Sequence, residues 1–179
     1  MKINMGVMTT AAGAALFLTP ALSAQTSPPP IPPAAKTQAM PYLETAGMSD
    51  VFEITSSQIA LQKSRNPQVR EYATKLIGHH TMTTNTTLVA AKAGGIATPP
   101  PPVLNAQFRA LISELNAAGP ADFDRVYLAQ QVPSHQGALE LVTAYSQNGD
   151  VATLRRAAGT AAPLVREHLV EAQRMQAAM

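Results

Sequence analysis

The 179-residue sequence predicts an all-α domain, on three observations. Alanine is abundant, and no run of alternating β-branched residues suggests a strand. Aliphatic residues recur instead at spacings of three and four, the period of a helix that buries one face. Breaker pairs (Asn66-Pro67, Gly94-Gly95, Gly119-Pro120 and Asn148-Gly149) divide the periodic stretches into helix-sized segments.

The elements follow in chain order. Lys2 and the uncharged run from Met5 to Leu18 read as the n- and h-regions of a secretory signal peptide spanning residues 1–24. Pro20 ends the run, and Ala21-Leu22-Ser23-Ala24 offers small residues for cleavage after Ala24. The run is too short and too weakly apolar to cross a membrane comfortably. The mature chain is therefore expected in the periplasm or secreted, without a transmembrane helix; a retained anchor is the alternative. From Gln25 to Pro41 a Pro/Ala/Ser/Thr tract reads as a disordered, extended linker. Residues 42–179 remain as one domain with one core.

Ser49 or Asp50 is the expected cap of a first helix reaching Ser64. Asn66-Pro67 restarts the chain as N-cap and first helical residue, and that helix runs to about Lys92 before Gly94-Gly95. After the stiff Pro99–Pro102 connection, a shorter helix covers Asn105 to Ala117. Asp122 opens a long helix ending near Gln147, and Asp150 caps a last one that runs almost to Met179. Pro133 and Pro163 fall inside these two and are expected to kink or split them.

Projection at about 100° per residue shows which way the unusual side chains point. Glu53 lies mid-face on the first helix with Ser56, Ser57 and Ala60. His80 continues the stripe of Val69, Ala73 and Leu76, whereas His79 falls toward its edge. His135 shares a seam with Asp124, Gln131 and Val142. On the last helix Leu154, Ala158, Ala161, Val165, His168, Ala172 and Met175 form one stripe. Three of the four histidines and one carboxylate thus point into one core, from four different helices.

The net charge of +2 falls to near neutral once Lys2 is removed, and Arg155-Arg156 is the only adjacent basic pair. Few aromatic residues interleave with the basic ones, so nucleic acid is not an expected partner. There is no phosphate loop, no G-x-S-x-G elbow and no cysteine. The absence of cysteine excludes a lipoprotein anchor, a disulfide framework and thiolate ligands.

Several segments together resemble a known family. They are Ser49-Asp50-Val51-Phe52-Glu53-Ile54, the stretch from Tyr72 to His80, Phe123-Asp124-Arg125-Val126-Tyr127, Gln131 to Ala138, and Ala162 to Leu169. In this order they resemble DUF4142, an exported bacterial family of ferritin-like domains of unknown function, often labelled membrane or outer-membrane proteins. The resemblance covers about Leu43 to Met175 and implies a ferritin-like four-helix bundle. Its crossover, between the second and third long helices, would contain the short extra helix. The family's Glu and three His fall on Glu53, His80, His135 and His168. Members commonly carry Asp-His where this chain has His79-His80.

The ferritin-like label does not extend to ferritin chemistry. Di-iron bundles place Glu-x-x-His on two helices and a Glu on each of the others. Here Ile77, Val132 and Val165 stand three residues before the inward histidines, so a di-iron centre is not expected. Glu53, His80, His135 and His168 instead suit one zinc, copper(II) or iron ion, with Asp124 and Gln131 as candidates to orient the ligands. Such a protein would store or buffer metal or protect against stress, and is read as a binding protein rather than an enzyme. The alternative is a non-catalytic structural or interaction module of the cell envelope, with an envelope protein as partner, in which the Glu/His cluster is a buried hydrogen-bond network. Oligomeric state is not readable from the residues.

Overall fold

The computed structural model of the chain describes residues 27–179; the expected signal peptide and its cleavage site near Ala24 lie outside the described residues. Five α-helices account for most of what is described, with no strand among the described residues: α1 (Ala39–Lys63), α2 (Pro67–Ala93), α3 (Ala106–Ala117), α4 (Phe123–Asn148) and α5 (Ala152–Ala177). None of them is long and apolar enough to cross a membrane.

One expected cap forms as read, and Asn105, expected as the first residue of its helix, serves as a second. The Asn66 side chain accepts from Gln68 N–H, with Pro67 at the first helical position, and Asn105 accepts from Phe108 N–H. Three others differ. Asp122 precedes α4 but turns its carboxylate to Arg125 at 2.9 Å. Asp150 accepts from the Tyr145 hydroxyl at 2.9 Å, leaving Val151 as the N-cap of α5. Asp50 lies eleven residues inside α1, which begins at Ala39 rather than at Ser49. Pro41 is harmless there, because the first-turn N–H groups of a helix have no intrahelical acceptor to lose.

The segment expected as a disordered linker is also folded onto the helices. Pro33–Lys36 form a 3-10 turn with Ala35 fully buried, and Thr37 O accepts from Asp150 N–H. Prolines restrict the unfolded chain, so ordering such a segment costs less entropy than ordering a flexible one. Ile31, Ala35 and Ala39 supply the apolar contacts that hold it. Nor do Pro133 and Pro163 split their helices, each of which continues for 26 residues.

The four long helices pack in a closed ring, in the order α1, α2, α5, α4. Tyr42 near the start of α1 stacks on Tyr145 near the end of α4, with centroids 4.0 Å apart. Thr153 at the start of α5 donates to Ala90 O near the end of α2. Ring neighbours therefore run antiparallel, while the diagonal α2 and α4 run parallel. Residues 94–122 must return along the whole length to join them. α3 lies in that return and packs on α1 and α4, where Phe108 stacks on Phe52 at 4.6 Å. Lys63 holds the end of α3 by donating to the carbonyls of Leu115, Asn116 and Ala118, a cation placed where helix carbonyls lack partners.

The apolar core falls into two main parts inside the ring. One surrounds Tyr72, Leu76, Phe123, Tyr127 and Leu128; the other surrounds Tyr42, Leu141, Tyr145, Leu154 and Ala158. Between them sits a polar layer. The buried residues of α5 are the seven predicted from its stripe, His168 among them.

Two glycines test this packing in opposite directions. A methyl group at Gly149 would come within 2.5 Å of the Tyr145 ring, which is held by Tyr42 and Asp150. Gly149→Ala is expected to cost about 1–3 kcal/mol by overpacking. Gly78 has open space on an exposed face of α2, and Gly78→Ala should stabilise by about 0.5–1 kcal/mol. Urea denaturation of both variants checks the pair; equal midpoints would contradict the described packing.

Candidate metal centre

The antiparallel ring brings one polar side chain from each long helix to the same level. Glu53 of α1, His135 of α4 and His168 of α5 are at most 1% exposed, and His80 of α2 is 4% exposed. The three imidazole centroids lie 5.7, 5.5 and 5.4 Å apart, nearly an equilateral triangle. One ring nitrogen from each histidine falls within 4.8 Å of the other two.

Each imidazole is pinned through one nitrogen and free at the other. His80 Nδ1 donates to Asp50 Oδ1 at 2.7 Å, and Thr84 donates to the second Asp50 oxygen at 2.5 Å. His135 Nδ1 donates to the Gln131 carbonyl at 3.0 Å. His168 Nε2 shares a hydrogen bond of 2.8 Å with His79 Nδ1. The remaining nitrogens, His80 Nε2, His135 Nε2 and His168 Nδ1, are buried without a partner, as are both Glu53 oxygens. Donating through Nδ1 leaves His80 and His135 with bare lone pairs at Nε2, and His168 is the same at Nδ1 when it donates to His79. Three buried acceptors are then left without a hydrogen-bond partner. That is the arrangement a cation or a donor molecule satisfies.

Burial sets the charges of the layer. It pushes Glu53 up from 4.5 to about 7, against the pull of His80 and the nearby Gln131 amide. Burial, reinforced by His80 and its neighbours, holds His168 down from 6.5 to about 3 and His135 well below its ordinary value. Burial also works against charging His80, but the Asp50 hydrogen bond and charge, with Glu53, outweigh it and raise that pKa.

The structure brings together the three histidines and places Glu53 beside them. Glu53 Oε1 lies 3.8 Å from His135 Nδ1, the nitrogen already held by a carbonyl. Gln131 does orient His135, but through its backbone; its side-chain amide donates to Ser56 Oγ at 3.2 Å. Asp124 stands apart in the first turn of α4, about 16 Å from His135 by helical rise. Two residues of the layer were missed by the sequence reading. Asp50 precedes Glu53 by three residues and so shares its face, a signal hidden by assigning it to a helix cap. His79 was placed at the edge of its stripe, and the edge is where it meets His168.

A divided helical core, crossed by a layer of three imidazoles and a carboxylate, is the class that fold and site define. The profile of the family described as "Domain of unknown function (DUF4142)" matches residues 24–175, and the chain belongs to that family. No curated protein and no solved structure matches it.

The shifted groups predict a peaked pH dependence for the metal-free protein. Glu53 keeps a proton in the folded state between about 4.5 and 7 that the unfolded chain has lost, so its contribution is lost as pH rises through that window. His80, raised above 6.5, acts in the same direction. His135 and His168 act oppositely: below 6.5 the unfolded chain takes up protons that the folded one refuses. Two histidines outweigh one glutamate on the acid side, and Glu53 with His80 dominate above. The melting temperature should peak near pH 6.5 and fall toward both pH 5 and pH 7.5. A profile that changes in one direction only across that range would contradict these charge states.

Proposed function

We propose that the ring is a ferritin-like four-helix bundle, exported to the periplasm, that binds a single metal ion among His80, His135 and His168, with Glu53 completing the set. One observation carries the reading: three imidazoles, each anchored through one nitrogen, leave their other nitrogens buried and unpartnered. Anchoring of this kind fixes tautomer and ring orientation, as the outer shell of a metal site does. Three imidazoles and one carboxylate, without thiolate, suit zinc, copper(II) or iron. One such set per chain fits buffering or protective sequestration better than bulk storage.

Charge supports the same reading. A divalent ion among neutral imidazoles would leave two positive charges in the core, at a prohibitive desolvation cost. Ionised Asp50 and Glu53 would neutralise them. Binding would also relieve the cost of ionising Glu53 in isolation.

The rival reading, a cell-envelope module whose cluster is only a hydrogen-bond network, draws on the same three anchoring bonds. Metal dependence separates the two. The protein, purified without a histidine tag and stripped with chelator, should gain about 2.7 kcal/mol of stability at one hundred times the dissociation constant of its ion. Zinc, copper(II) and iron(II) are compared by thermal melting and by metal content after dialysis. His80→Ala and His168→Ala should abolish the gain, and Glu53→Gln should reduce it. In the network reading each alanine costs about 1–3 kcal/mol with no metal dependence. A wild-type protein that retains no ion and melts identically with all three would end the metal proposal.

A further inference from the structure

Glu53, His80, His135 and His168 are all buried, so an ion can reach them only by way of a neighbour that meets solvent. Two side chains bond to the imidazoles, Asp50 and His79, and both are half-buried. Both Asp50 oxygens are already held, by His80 and Thr84. His79 differs. Its Nδ1 is bonded to His168 Nε2 at 2.8 Å, whereas its Nε2 has no protein partner and, unlike the unpartnered nitrogens of the three ligands, is not buried. One ring therefore touches both solvent and a ligand of the proposed centre.

The surroundings of His79, on the seam between α2 and α5, suit an arriving cation. Lys75, one turn earlier on α2, pairs with Glu171 at 2.6 Å and lies 3.6 Å from Glu167. Two carboxylates around one ammonium leave this mouth negative, which raises the local concentration of cations. Inside it, a chamber of about 40 Å³ lies against His79, His80 and His168, more than the roughly 10–15 Å³ that one water needs. The free nitrogens of His80 and His168 are closed off, so delivery requires the His168 ring to turn. Resting on the metal reading above, we propose that His79 is the entry ligand of the centre: its outward Nε2 takes the ion from solvent and hands it to His168.

The shared hydrogen bond couples the two rings. An ion on His79 Nε2 leaves that ring's proton on Nδ1, donated to His168 Nε2, and His168 then carries its own proton on Nδ1. When the ion moves to His168 Nδ1, the proton in the shared bond shifts to His168 Nε2. The displaced Nδ1 proton returns to His79 Nε2 through water. Each ring holds one proton before and after, so the ion moves inward without a net change in protonation. While the bond stands, only one of the two rings offers the ion a lone pair. His79 is thus a way in, not a further permanent ligand.

Copper(II) is the probe, because it stands highest among the divalent ions in affinity for nitrogen and oxygen ligands. Its visible absorbance is followed by stopped flow on mixing with the metal-free full chain, with His135→Ala as the blank for ions held elsewhere. His79→Asn keeps an acceptor for His168 Nε2 and removes the outward nitrogen. Loading and release should both slow in this variant, about 10-fold, because an entry ligand lowers the barrier in both directions. Glu167→Gln alters the mouth without touching an imidazole. It should slow loading roughly 2-fold at low salt and have no effect at about 1 M, where charges are screened within about 3 Å. Unchanged rates in His79→Asn, or faster release with loading unaltered, would mean that His79 only orients His168, and would overturn the entry role. A Glu167→Gln protein that loads as fast as wild type at low salt moves the mouth away from this seam and overturns it too. A wild type with no absorbance beyond the blank ends the metal reading, and the entry role with it.

Discussion

A layer of ionisable side chains enclosed in the middle of a helical core is the constraint on which the rest of this structure depends. Imidazoles and a carboxylate cannot be left there without partners, because each would forfeit its hydration with no return. The two apolar half-cores on either side supply the burial that holds the layer shut. Tyr72 and Tyr127 stand at its margin, where the Tyr72 hydroxyl donates to His168 O and the Tyr127 hydroxyl shares a 2.9 Å bond with Ser57. Glu53, His80, His135 and His168 each lie near the middle of their own helix, which sets them at one level.

The layer also explains why a dinuclear centre does not fit. Two ions need several carboxylates inside the ring, and Glu53 is the one fully enclosed here. The positions that would supply the others are taken by Ile77, Val132 and Val165, with Val165 itself buried. What the layer offers is three imidazole nitrogens without a protein partner, the Glu53 carboxyl beside them, and Asp50 in outer contact through His80. On the proposed reading this set serves one divalent ion rather than two.

Much of this was legible in the sequence because helix periodicity is a strong signal over long segments. The stripe on α5 gave its buried face residue by residue, and Asn66 and Asn105 marked two helix starts correctly. Two of the misreadings share one physical origin: short polar residues that can cap a helix can instead hold a neighbouring side chain. Asp50 and Asp150 both looked like caps, yet one holds His80 and the other Tyr145. Pro41 and the prolines before it looked like breakers of structure, although a first-turn proline and a packed Pro-rich segment break nothing. Asp124 shows the limit of a helical-wheel projection, which gives direction around the axis and says nothing of height along it.

His79 is the residue where height, direction and charge meet. It is half-buried, stacked on His168 with centroids 5.0 Å apart, and bonded to it through Nδ1. An acid at this point would add a third carboxyl group to a layer already holding Asp50 and Glu53. With one divalent ion the sum would then be negative, and the acid would compete with Glu53 for the role of balancing charge. An imidazole keeps the hydrogen bond to His168 while adding no charge when neutral. The same histidine that orients His168 thus leaves Glu53 as the one carboxyl group fully enclosed beside the imidazoles, the place the proposed ion would need it.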